Sequence, residues 1–235
     1  MTEMNGPPGA SSTAAGHPNA PPSSGPPAID AVAVMRSKPY FSALLLAAVL
    51  GVPISAVAYG FLALVTAIQE FLFQDLPGDV FESGAPAWWP VPWLVICGLL
   101  TGLTIRYLPG NGGHSPAFGF HTGGGPPVDR ELPAIILAAL TTLSLGAVLG
   151  PEAPLIAIGG GLAALTVHLA NKNAPPMAQT VMASAGSFAA ISTLLGSPVL
   201  GAFLIMEAAG ISGMTLSLVA LPGLLASGIG AMVFV

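Results

Sequence analysis

Residues 149–165 read LGPEAPLIAIGGGLAAL, and one carboxylate, Glu152, stands in that otherwise uncharged run. Between residues 131 and 235 the other formally charged side chains are Glu131, Lys172 and Glu207. An ionised carboxylate in hydrocarbon costs at least about 2–3 kcal/mol, so protonation, water or aligned donors must offset it. Pro151 points to a source of donors. It places Glu152 among the first helical residues, where backbone N–H groups have no partner within the helix. The same helix end carries partial positive charge, worth roughly 0.3–2 kcal/mol to a nearby anion, and it can hold a free anion. Glu152 and a permeating anion would then compete for one electropositive place. The deprotonated side chain occupies and blocks it; once protonated or displaced, it leaves the place to the anion. That chemistry is a gate, with Pro151 and Ala153 flanking it in the pathway. The alternative is a capping glutamate with no transport role.

A second constellation is PGNGGHSPAFGFHTGGGPP at 109–127. Gly110, Gly112 and Gly113 allow backbone shapes that expose N–H groups. A short helix beginning near His114 or Ser115 would aim further donors at the same spot. Such interrupted helices hold anions inside membranes without a buried lysine. The alternative is a plain linker. Irregular backbone sits at membrane depth only where protein or a water-filled cavity satisfies it. Glu207, in FLIMEAAG, could form a buried pair, cap a neighbouring segment or face water near a helix end. No Cys/His/Asp grouping surrounds His114, so no metal site is expected. Neither a GxxxxGK[ST] cradle nor a nucleophile–base set is present, and no enzyme activity or cofactor is expected.

The elements that must position these residues follow from composition. Charged residues make up 6% of the chain, hydrophobic residues 53%, and there are 30 glycines and 24 prolines. Soluble domains carry about 25% charge, so a multi-pass all-α membrane protein is expected, with the lipid membrane as its partner. Net charge is −5 with five Lys or Arg residues, which excludes a basic track for nucleic acid. Cys97 is the sole cysteine and reads as a small buried hydrophobe.

Residues 1–34 are rich in Pro, Gly and Ser and read as a disordered tail. Residues 39–69 carry no charge; at about 1.5 Å per residue they form roughly 46 Å of helix, one long tilted span bent near Pro53. Glu70, Asp75, Asp79 and Glu82 are expected in an aqueous loop, followed by PAWWPVPW as an interfacial anchor. A second crossing covers 91–107. Arg36, Lys38 and Arg106 favour a cytoplasmic N-terminus. Helices are then expected at 131–150, 152–170, 177–196, 197–210 and 214–235, with 152–170 and 197–210 short for a crossing. The glycines at 159–161 invite a neighbouring helix to approach closely. An apolar run to Val235 with no polar cap suggests an incomplete chain.

Three stretches together, GNGGHSP (110–116), GPEAP (150–154) and GSPVLGAFLIMEAAG (196–210), resemble the CLC family of chloride channels and proton-exchanging chloride transporters. The family patterns are GSGIP, GREGP and NAPLAGxxFxxEE. Gly112 and Pro116 match the first, and Gly113 falls where the anion-binding serine is expected. Glu152 falls on the gating glutamate, with Pro151 in place of arginine and Ala153 in place of glycine. Glu207 matches the first acid of the third pattern, and Ala208 stands at the internal proton-relay position. The resemblance covers roughly 35–235, the first of two inverted halves. It implies a broken-helix bundle, a homodimer when full length, and a cell-membrane, voltage-gated or pH-sensitive chloride channel as the function. The missing acid at Ala208 favours passive transport. A proton-coupled antiporter, a carrier of another anion and a non-transporting scaffold are the alternatives.

Overall fold

The computed structural model describes residues 34–81, 84–110, 130–208 and 213–234. All but the last residue of the 1–34 tail lies outside the described residues, as do Glu82, Gly112, Gly113, His114 and Ser115. Among the described residues the secondary structure is helical, without strands. Four helices are long and apolar enough to cross a membrane.

The first helix, α1, spans Lys38–Val80. The Ser37 hydroxyl accepts a hydrogen bond from the Tyr40 N–H (3.3 Å), and Pro39 sits in the first turn, where a missing N–H costs nothing. Pro53 lies inside the helix. At Phe71–Asp75 the hydrogen bonding widens into a π turn, a single-turn feature often found at functional sites. Trp89 donates its indole N–H to the Leu72 carbonyl within that turn (2.9 Å). The helix therefore runs through Glu70, Asp75 and Asp79, where the sequence suggested a loop. All three are exposed, so the carboxylates gain hydration without ending the helix. Beyond Val80, Phe81, Trp88, Trp89 and Trp93 pack edge to face or tilted.

Helix α2 (Pro90–Tyr107) buries only Cys97 and Thr104. Its Val91, Leu94, Val95, Leu99 and Leu103 point outward, as expected of a lipid-facing span. Cys97 packs with Leu72 and Leu145, the structural role expected of it. Helix α3 (Leu132–Ser144) ends six residues before the expected Gly150. Next come α4 (Glu152–Ala170), α5 (Pro176–Leu195), α6 (Pro198–Ala208) and α7 (Gly213–Phe234). At 19 residues, α4 is long enough to cross, contrary to the expectation that it is short.

Helix α5 is the hub, with Phe188, Ala189, Ala190 and Ile191 fully enclosed. It packs against α1, α4, α6 and α7. On the α4 side, Gly159 and Gly186 meet backbone to backbone, and a methyl on either would run into the other's carbonyl. Ser187 lies beside Gly160 and donates to the Ile156 carbonyl (3.0 Å). On the α7 side, Gly223 lies on the Phe188 ring, and Gly201 of α6 lies against Ser192. Between lipid-solvated helices there is little hydrophobic gain on association, so close van der Waals packing through small residues must hold them. Gly186→Ala is expected to destabilise the protein by about 1–3 kcal/mol through overpacking. Gly98→Ala, on the open side of α2 with no neighbour within 4 Å, should be neutral or stabilising by up to about 1 kcal/mol. Thermal unfolding of the two variants in detergent, followed by size-exclusion chromatography, compares them.

Candidate functional site

The carboxylate of Glu152 is delivered by the end of one helix and the start of the next. Helix α3 closes with a Schellman-type cap: the Ala147 N–H bonds the Thr142 carbonyl (3.1 Å) across Gly146, whose φ is +93°. That positive φ is why glycine stands there. Leu145 N–H bonds the Thr141 carbonyl (3.2 Å). The chain then runs extended, with a tight turn from the Leu149 N–H to the Ala147 carbonyl (2.8 Å). Pro151, at φ −75° and ψ −4°, turns it into α4, and Glu152 is the first helical residue.

At this helix start the intrahelical ladder begins with the Leu155 N–H, which bonds the Pro151 carbonyl (3.0 Å). Pro154 has no N–H to offer. Helix geometry therefore leaves the N–H groups of Glu152 and Ala153 without a carbonyl inside α4. Ala153 is exposed and Pro151 and Glu152 are half-buried, so these donors sit at an accessible, positively polarised end.

The Glu152 side chain does not cap its own helix. Its carboxylate folds back over Gly150, and an oxygen occupies the space that a β-carbon of residue 150 would need. Among the described residues, no side-chain hydrogen bond reaches it. The carboxylate thus rests on a glycine rather than on a fixed side-chain donor.

Glu207 lies one residue from the end of α6 and is exposed, so of the three possibilities it faces outward rather than forming a buried pair. Ala208 ends the same helix. The start of α6 is satisfied locally: Ser197 accepts from the Leu200 N–H through its hydroxyl (3.4 Å) and from the Gly201 N–H through its carbonyl (3.1 Å). Among the described residues no group of His, Cys, Asp and Glu is arranged to hold a metal.

One contact near the site has no counterpart in the motif reading. Gln69, on α1 just before the π turn, donates its amide to the Leu143 carbonyl in the last turn of α3 (2.7 Å). Phe73, inside the π turn, lies against Gly146. A cavity of about 470 Å³ opens here, lined in part by Thr66, Gln69, Glu70, Phe73 and Gly146. A glutamine ending a 31-residue uncharged run (39–69) was the available signal; nothing in the spacing identified its distant acceptor.

With the geometry in place, comparisons with known proteins locate it. Residues 119–235 match the voltage gated chloride channel family. The chain is also 32% identical, over 161 residues, to proteins named for ion transport, YfeO, from Salmonella paratyphi A, Salmonella schwarzengrund and Salmonella newport. The alignment covers 68% of this chain and 38% of each relative.

Over these residues the chain resembles the CLC family.

The CLC match takes in Glu152, Glu207 and Ala208 and begins after the 110–116 stretch. With its several apolar helices, the chain is a multi-pass membrane protein. Because Gly150 makes room for the Glu152 carboxylate, Gly150→Ala should drive that carboxylate off its resting place. Labelling by a water-soluble carbodiimide, read by mass spectrometry, is expected to modify Glu152 faster in this variant. An equal rate would mean that the carboxylate does not rest on Gly150.

Proposed function

We propose that this chain builds part of a chloride pathway in which Glu152 is a movable gate. The observation that carries the reading is the carboxylate itself. It stands first in a 19-residue apolar helix, half-buried and folded over Gly150, beside backbone donors that the helix leaves unused. A fixed negative charge at that place opposes an incoming anion. Withdrawal of the charge, by protonation or by rotation of the side chain, exposes the positive helix end to chloride.

The sign of the pH dependence follows from this. A charged side chain in the site keeps flux low, and loss of that charge raises it. Glu152→Gln removes the charge at every pH. Anion efflux from liposomes containing the full-length protein should therefore lose its pH and voltage dependence in Glu152→Gln. If the variant keeps both dependences, Glu152 is not the gate.

Transport is proposed to be passive. Alanine at position 208 has no proton to relay, and exposed Glu207 at the neighbouring position offers no enclosed path among the described residues. Simultaneous chloride and proton flux measurements should give negligible stoichiometric proton movement; a fixed coupling ratio would favour the antiporter reading instead. Homodimer assembly and a cytoplasmic N-terminus belong to the same proposal. The resemblance to the family supports the first, and Arg36, Lys38 and Arg106 support the second.

A further inference from the structure

We infer that Gln69 is a positioning residue for the Glu152 gate: its amide pins the end of α3, from which the segment carrying Glu152 hangs. The inference rests on the gate reading above.

The last carbonyls of any α-helix lack partners within it. At the end of α3, those of Thr141 and Thr142 are taken by the N–H groups of Leu145 and Ala147. The Leu143 carbonyl lies between them and accepts from Gln69, 74 residues away in sequence. Ser144, the next residue, is buried and its hydroxyl has no partner among the described residues. It does not share the task. The Thr142 hydroxyl turns back to carbonyls of its own helix, and the Thr141 hydroxyl does so while also meeting the Thr101 hydroxyl of α2 (3.3 Å). Gln69 is thus the side chain that ties this helix end to α1 among the described residues.

Two further observations place the tie on the gate. Phe73 lies one helical turn beyond Gln69 and covers Gly146, the residue at which the chain leaves α3. Five residues lie between Gly146 and Glu152, and an internal hydrogen bond from Leu149 to Ala147 shortens that tether. The π turn is what sets Phe73 at this angle, because it widens the helix immediately after Gln69. The adjacent cavity has Glu70 as its charged wall and Gln69 itself in its lining. A shift of the α3 end would move Gly150 and Pro151, and with them the resting place of the carboxylate.

The test is anion efflux from liposomes as a function of pH, using the full-length protein. Gln69→Met keeps length and helix propensity but removes the donor; Gln69→Lys keeps a donor on a stem of similar reach. Gln69→Met is expected to shift the pH midpoint by about 0.5 unit, a size that one lost hydrogen bond can supply. Gln69→Lys should stay nearer the unmodified protein. In the Glu152→Gln background, Gln69→Met should leave flux unchanged, because no gate remains to be positioned. An unshifted midpoint in Gln69→Met, or an equal change of flux with and without Glu152, overturns the inference. If Gln69→Met does not assemble, Gln69→Glu removes the same donor and is judged by the same outcomes. Retained pH dependence in Glu152→Gln alone would instead defeat the gate reading, so the two failures are distinguishable.

Discussion

Close approach of helix backbones is the constraint on which this architecture depends. In lipid, side chains gain little by leaving one apolar surface for another, so helices associate through the fit of their surfaces. Helix α5 meets α4 where Gly159 faces Gly186, and it meets α7 where Gly223 lies on Phe188. Helix α1 joins the same assembly through Gly51 against Ala226 and Ser55 beside Gly230, both on α7. The Tyr40 hydroxyl donates to the Leu218 carbonyl (3.1 Å), fastening the start of α1 to α7. These contacts tolerate no added methyl, which makes α4 a fixed base.

The segment leading into Glu152 is built on the opposite principle. Between Ser144 and Glu152 the chain has one hydrogen-bonded cap, one tight turn and two glycines, and it is anchored at each end by a helix. A rigid scaffold is thus joined to a short segment with few internal hydrogen bonds. The electrostatics come almost wholly from backbone. Lys172, the lone formally basic residue after residue 130, lies past the far end of α4.

Much of this was legible before the fold. Residues 152–170 and 177–196 stand within a residue of the observed helices, because Pro151 and Pro175–Pro176 set the starts and Gly196 sets an end in αL geometry. The glycines at 159–161 correctly announced a close helix contact. The acids at 70, 75 and 79 misled, since charge reports hydration and a helix projecting from the membrane hydrates its side chains as well as a loop does. The end of α3 was placed too late because the apolar pattern continues through Val148 and Leu149; only the φ of Gly146 stops the helix. The acceptor of Gln69 was out of reach for any local reading. A side chain that bonds a backbone carbonyl leaves no mark on the residue it chooses.

The π turn at Phe71–Asp75 has a further consequence, for insertions and deletions. One extra residue in a helical turn rotates everything beyond it by about 100° relative to an uninterrupted α-helix. Buried Pro77 and exposed Asp79 owe their azimuth to that offset. Deleting one residue from this turn would restore regular winding and swing the acidic end of the helix around its axis, carrying Pro77 out of the interior. Chain length within these five positions is therefore as tightly specified as residue type elsewhere.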